Sequence, residues 1–390
     1  VVSVRRVEVL SRDPDLVIRG YLPYARAEVA LNWLAVDSFT IDLPATENVL
    51  EKCSQGWGVL VLLDGQQILS GSIEDIERER AANDQGSGVG TVSITGADDL
   101  AIVASELAWP VPTEPVTNQG ASARDSRSGV AETVIKGYVS ANVGVGRDVD
   151  RADAAAPNVR EVVVGADLAR GATVEYSARF EPLLDVIRGI HGGLGVTCSQ
   201  NDSQQLVFDV IDPQDLSGSA VFSFELGNLR RARWSDGMPE VTHAVVGGEG
   251  EGTLRVFRER RDSTAANAWR MHSAVFVDQR HTSNTLEMDQ AGDEALEDGK
   301  RLGIIEAELV DTARLAYSTD YQLGDRVTIV PEAATAFTDI VTSVRISADA
   351  DSGEVRIAPA VGWTTGPYET RQDKELARLQ RAVSALERSQ

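Results

Sequence analysis

Positive charge is in short supply. The 37 Lys and Arg face 60 Asp and Glu, which gives a formal net charge of −23. Gripping nucleic acid takes clustered bases that displace counterions from phosphate, so the balance argues against a free nucleic-acid binder. It argues equally against docking on anionic lipid. Long apolar runs are missing too. None approaches the roughly 18 residues a membrane span needs, and Val1 to Arg6 lacks the apolar core of a signal peptide. The expectation is a soluble protein made without a secretion signal and without stable membrane insertion. There are only two cysteines, Cys53 and Cys198. They can form at most one long-range bridge, which is no disulfide framework. Each reads better as a small buried hydrophobe in a reducing compartment. Aromatic residues make up 5% of the chain, without the clustering that a stacking platform for bases or sugars requires.

Signatures of catalysis are equally scarce. The four histidines are His191, His243, His272 and His281. None has a Cys or a second His at metal-ligand spacing. His191 sits where a helix should end, and an imidazolium there suits the dipole and the last carbonyls. His243 lies in a β-run and reads as a satisfied core or edge residue. The adjacent acids Glu74-Asp75 and Asp98-Asp99 read as solvated pairs. No Gly-x-Ser-x-Gly elbow and no phosphate-binding P-loop occur. Gly144-Val145-Gly146 completes no dinucleotide fingerprint. Gly248-Glu249-Gly250-Glu251-Gly252 reads as a hairpin tip whose two Glu would repel phosphate. Asp148, Asp150 and Asp153 resemble a calcium loop only loosely, without its central Gly and terminal Glu. Catalytic residues, cofactor and metal are all expected to be absent.

What is present is β-structure. Hydrophobic residues are 42% of a 390-residue chain, enough for cores in about two to four domains. Asp64-Gly65 between apolar runs signals a tight hairpin, because its turn needs positive φ at both centres. Residues 1–108 are expected to form a barrel-like β-domain. Residues 109–225 read as mixed α/β, with a helix after Gly129 and another over Glu181 to His191. In the second, Phe180, Leu183, Leu184, Ile187 and Ile190 fall at helical spacing, Pro182 suits the first turn and Gly192-Gly193 suits the stop. Residues 226–368 return to strand, as a second barrel-like domain with a helical insert near Asp289 to Leu302. Residues 369–390 contain no Gly or Pro. There Leu376, Leu379, Val383 and Leu386 follow a 3, 4, 3 spacing, the seam of a coiled coil. The alternative is an ordinary amphipathic helix packing on its own domain; against it, the stripe is narrow and the other faces carry Arg, Lys, Glu and Gln.

Four segments resemble the minor tail proteins that form the baseplate or tail-tip hub of siphophages, of the type infecting actinobacteria. The first runs from Leu34 to Leu43, then through Gly56-Trp57-Gly58-Val59-Leu60-Val61 and Asp64-Gly65 to Ser70-Gly71. The second is Arg179-Phe180-Glu181-Pro182-Leu183-Leu184-Asp185-Val186-Ile187, leading into Gly193-Leu194-Gly195-Val196. The third is Val221-Phe222-Ser223-Phe224-Glu225-Leu226-Gly227-Asn228-Leu229, and the fourth is Asp320-Tyr321-Gln322-Leu323-Gly324-Asp325-Arg326-Val327-Thr328. The resemblance implies a homotrimeric ring that continues the tail tube, adapts sixfold to threefold symmetry and passes DNA in transit. It implies a structural protein of the virion tail, assembled in the bacterial host cytoplasm. Its implied partners are the distal tail protein, the tape-measure protein and other tail-tip or fibre proteins. A coiled coil at residues 369–390 suits a trimer axis. Net −23 then reads either as an acidic channel that lets DNA slide or as ordinary solubility charge. The alternatives are a receptor- or carbohydrate-binding tail component and a cell-wall-degrading tail enzyme. The first needs an aromatic cleft and the second needs converging carboxylates.

Overall fold

The computed structural model describes residues 5–82, 88–145, 160–234, 238–280, 282–299, 304–312, 314–332 and 335–362. The chain divides into two compact units. The first comprises Val1–Arg230 and Glu308–Ala360, the second Arg231–Ala307 and Val361–Gln390.

The first unit starts with β1 (Val7–Arg12), β2 (Ile18–Tyr21), β3 (Arg26–Asn32) and β4 (Ser38–Pro44). β3 and β4 alternate more exposed residues with buried Val29, Leu31, Phe39, Ile41 and Leu43, the period-two pattern of a sheet with one face on a core. A short helix, α1 (Glu47–Lys52), is capped by Thr46, whose Oγ1 accepts from Val49 N. β5 (Gly58–Leu63) and β6 (Gln66–Ala82) flank the Asp64-Gly65 turn, with φ of 52° and 82° at its two centres. β7 (Gly88–Asp98) and α2 (Leu100–Ala104) follow.

A second layer is built from β8 (Leu107–Ala108), β9 (Asp125–Val130), α3 (Ala131–Val143), β10 (Val162–Val164), β11 (Thr173–Ala178), β12 (Glu181–Pro182), α4 (Leu183–Ile190), β13 (Gly195–Gln200) and β14 (Leu206–Ile211). Its strands form three small sheets, β10-β14-β13, β11-β9 and β12-β8. One core joins this layer to Trp33 and Leu34 at the end of β3 and to Leu100 and Val103 of α2. α4 buries Leu183, Leu184, Ile187 and Ile190, as the helical spacing predicts, and Val186 besides; Phe180, expected on the same stripe, stands before the helix at positive φ and is exposed. Pro182 is not in the first turn but just before it, because Glu181-Pro182 is held in a bridge to Leu107-Ala108. β15 (Val221–Ser223) and β16 (Leu229–Trp234) follow, and the chain leaves the first unit after Arg230.

The second unit is small. β17 (His243–Gly247) pairs antiparallel with β18 (Phe257–Arg261). After α5 (Ser263–Trp269), β19 (Ala274–Asp278) pairs with β17 in parallel. α6 (Thr285–Asp298) covers one face of these three strands. It begins four residues before the predicted Asp289, because Asn284 Oδ1 accepts from Leu286 N at 2.8 Å and so caps an earlier start.

The chain returns to the first unit at Glu308, within β20 (Ile304–Leu309), and β21 (Arg326–Glu332), β22 (Thr335–Asp349) and β23 (Glu354–Val361) complete the first unit's sheet. Its order is β23-β22-β3-β4-β7-β6-β5-β1-β2, with β21 beside β22 and β15 beside β21. Apart from the parallel β15–β21 pair, the recorded registers of this sheet are antiparallel. This corrects the expectation of two barrels. Among the described residues, strands from both expected β-domains share one large open sheet, because Ser343–Asp349 pairs residue for residue with Arg26–Asn32. The mainly β character with added helices is as predicted. The coiled-coil positions Leu376, Leu379, Val383 and Leu386 lie outside the described residues.

Candidate functional site

A buried polar cluster joins the sheet to the second layer. Arg12, at the end of β1, is fully buried. Its Nη1 donates to Asp99 Oδ2 at 2.8 Å and its Nη2 to Asp99 Oδ1 at 2.5 Å. Ser70 Oγ donates to Asp99 Oδ2 at 2.6 Å and accepts from Gln200 N at 2.9 Å. The Gln200 side chain accepts from Arg12 Nη1 at 3.1 Å and donates to Leu16 O at 2.6 Å. β1, β6, α2 and β13 are thereby tied at one point. Gly58 gives the guanidinium its room, since a Cβ there would lie 2.5 Å from Arg12 Nε.

Asp98-Asp99 is therefore not a solvated pair. Asp98 is 7% exposed and Asp99 1%. Asp98 Oδ1 accepts from Asp37 N at 3.1 Å, and Asp37 Oδ1 accepts from Asn32 N at 2.6 Å. Burial, then the charge of Asp37, pushes the Asp98 carboxyl well above the usual range, and burial does the same to Asp37. The β3–β4 turn and the β7–α2 junction thus share a carboxyl pair that prefers to keep a proton.

A third cluster fixes α3. Glu132 is fully buried and accepts from Arg170 Nε at 2.9 Å and Lys136 Nζ at 2.7 Å. The Arg170 bonds, followed by the Lys136 bond, hold its carboxyl far below the usual range against burial. Lys136 Nζ also meets Asp209 Oδ1 at 2.7 Å on β14. The sequence offered one clue to this cluster, a Glu–Lys pair four residues apart on a helix whose other positions are largely apolar.

The segments that carry the family resemblance meet in the first unit. Trp33, next to the first segment, packs against Gly195 of the second and Gly324 of the fourth. A Cβ would lie 2.2 Å from its Cη2 at Gly195 and 2.1 Å from its Cζ3 at Gly324. Val221–Ser223 of the third segment pairs in parallel with Thr328–Val330, a stretch that starts at the last residue of the fourth. Asn228 closes the third segment by accepting from Ser223 N at 2.8 Å and donating to Val221 O at 2.9 Å. Asp325 closes the fourth, accepting from Gln214 N and Gln322 N at 2.8 Å each. Phe222 and Tyr321 stack edge to face with centroids 5.4 Å apart. In these segments the polar side chains act as turn and junction fasteners.

The remaining candidates are scattered. His191 does end α4; its Nδ1 lies 3.1 Å from Gly193 N and 3.2 Å from Leu194 O, and burial lowers its pKa against the Leu194 carbonyl, which raises it. His243 pairs with Glu259 at 3.2 Å on the sheet of the second unit. His272 lies between α5 and β19, and His281 is outside the described residues. Gly248 to Gly252 is the tip between β17 and β18, with Gly250 and Gly252 at positive φ. Asp148, Asp150 and Asp153 lie outside the described residues. Cys53 and Cys198 are buried free thiols, and burial pushes Cys53 up to about 11. Among the described residues no group of three His, Cys, Asp or Glu is placed to hold a metal. No helix among them is long and apolar enough to cross a membrane.

The fold has relatives of known structure. A prophage MuSo2 43 kDa tail protein from Shewanella oneidensis superposes with a TM-score of 0.57 at 12% identity, over 92% of this chain and 98% of its own. A tail protein from Neisseria meningitidis MC58 gives 0.56 at 15% identity, over 91% and 96%. Prophage tail protein gp18 from Listeria monocytogenes EGD-e gives 0.52 at 9% identity, over 97% and 99%. At these identities the likeness is one of fold. No curated protein sequence matches. The family model described as Siphovirus ReqiPepy6 Gp37-like protein matches residues 6–362, and the chain belongs to that family.

Proposed function

We propose that this chain is a structural protein of a siphophage tail, assembled as a homotrimer in the baseplate or tail-tip hub, where it extends and terminates the tail tube. The observation that carries the reading is the end-to-end likeness of fold to three tail proteins, each aligned over more than 90% of both chains. Membership of a siphovirus family supports it. Arg12 pairs with Asp99, and Lys136 with Glu132 and the Ala166 carbonyl, so these buried charges fasten elements of the fold together. The distal tail protein, the tape-measure protein and other tip proteins are the neighbours such a hub contacts. DNA passes through it in transit, and an acidic bore, drawn from the net charge of −23, would repel the phosphates.

Mass photometry followed by cryo-EM of the purified full chain tests this reading. A trimeric ring with a central channel is expected. A stable monomer at micromolar concentration overturns it, and a predominantly basic bore overturns the charge argument. Deletion of Arg371 to Gln390 tests the seam at Leu376, Leu379, Val383 and Leu386. Trimer assembly unchanged by the deletion removes that segment from the mechanism.

A further inference from the structure

Arg12 keeps one donor in reserve. Its Nη atoms are taken by Asp99 and Gln200, but Nε, equally buried, has no hydrogen-bond partner among the described residues. Nε lies over the backbone of Gly58, which stands opposite Arg12 across β1–β5 and opposite Ser72 across β5–β6. Residues directly opposite in antiparallel strands share a face, so Arg12 and Ser72 flank Gly58 on the same side of the sheet, about 10 Å apart at the backbone. Arg160, just ahead of β10, reaches that row from the second layer. Its Nη1 donates to Ser72 Oγ at 2.8 Å and its Nη2 to Gly56 O at 2.7 Å. Ser72 accepts there, so its own O–H is left to donate.

The charges around this row do not balance. Burial lowers the pKa of Arg160, and the charge of Arg12 lowers it further. The two carboxylates that act on Arg160 are held by other bases, Asp99 by Arg12 and Asp13 by Arg19. Three guanidiniums thus share two carboxylates, and Glu161, next to Arg160 in the chain, is exposed. We propose that Arg12 Nε, Ser72 Oγ and the Arg160 guanidinium together bind one small monovalent anion, chloride in ordinary buffers. A water would satisfy the donors but leave the positive charge uncompensated. A single negative charge answers both, and it pins the start of β10 to the sheet through β1 and β6. Phosphate or sulfate brings more charge and more acceptor oxygens than this row has donors to meet.

The test uses the full chain, dialysed free of halide and melted at constant ionic strength in mixtures of sodium gluconate and sodium chloride. Once chloride exceeds its Kd, the melting temperature should rise by about 2 °C per tenfold increase. Arg160→Met should abolish that rise, and Ser72→Ala should shift it to at least tenfold higher chloride. Bromide is the direct probe. In wild-type crystals soaked in sodium bromide, its anomalous signal should sit within hydrogen-bond reach of Arg12 Nε and Arg160. Equal melts in gluconate and chloride overturn the proposal. So does a chloride response that Arg160→Met leaves intact, since that response belongs to salt at large. Bromide found only elsewhere, or a water alone at Arg12 Nε, overturns it too. A bromide peak with no chloride response in solution is binding at crystal concentration only, and also overturns it. Should Arg160→Met fail to fold, Ser72→Ala and the bromide map decide.

Discussion

Arg12 and Asp99, 87 residues apart, form a two-pronged ion pair with neither side chain exposed to solvent. Removing one partner from such a pair leaves a buried charge uncompensated and costs about 3–5 kcal/mol. Arg12→Met and Asp99→Leu should each lower stability by roughly that amount in urea unfolding. The double variant should cost clearly less than their sum, because no charge is left stranded. Additive losses would show that the pair is not the fastener described above.

The glycines against Trp33 should behave differently from each other. At Gly195 the three atoms nearest a Cβ all belong to the indole, and the backbone is not at positive φ. Gly195→Ala should cost about 1–3 kcal/mol through overpacking, and Trp33→Phe in the same chain should recover part of it. At Gly324 the φ of +90° adds backbone strain to the same clash. Gly324→Ala should therefore be the worse substitution, and Trp33→Phe should recover less. Equal rescue at both sites would remove the conformational argument.

How far the sequence could be read follows from this distinction. The Asp64-Gly65 turn and the stripe of α4 are local signals, and both are found. α1, α2 and α5 have six, five and seven residues, too short to show a period. The single sheet is not legible in the sequence because strand pattern reveals burial but not the partner strand, and β22 pairs with β3 from the far end of the chain. Asp98-Asp99 looks like any solvated acid pair until Arg12 and Asp37 are placed beside it. The family segments were visible as a resemblance. Their shared purpose, packing on Trp33 and closing the β15–β21 junction, exists only in three dimensions.

Asp325 offers a test of that junction. Its two oxygens accept separately from Gln214 N and Gln322 N. Asn keeps one acceptor oxygen, so Asp325→Asn should lose about 1–3 kcal/mol as one backbone donor loses its acceptor. Asp325→Ala strands both donors and should lose more. Thermal melts of the two variants, side by side, decide it. A milder loss for Ala than for Asn would mean that the carboxylate is not the fastener.

The acids should also make stability depend on pH in opposite directions. Glu132 has its carboxyl depressed by Arg170 and Lys136, so its contribution is present at neutral pH and lost below the usual carboxylate range. Asp98 is raised, to about 9, by burial and by Asp37. The folded protein therefore holds a proton there that the unfolded chain releases near pH 4. The stability linked to that proton is complete below about pH 4 and is lost as pH rises toward about 9. Asp98→Asn keeps an acceptor for Asp37 N while removing the titration. Urea midpoints at pH 5, 7 and 9 should fall for the wild type across this window and fall less for the variant, with the variant gaining most at pH 9. Parallel slopes for the two proteins would show that Asp98 is already ionised in the fold, with its charge met by a partner other than a proton.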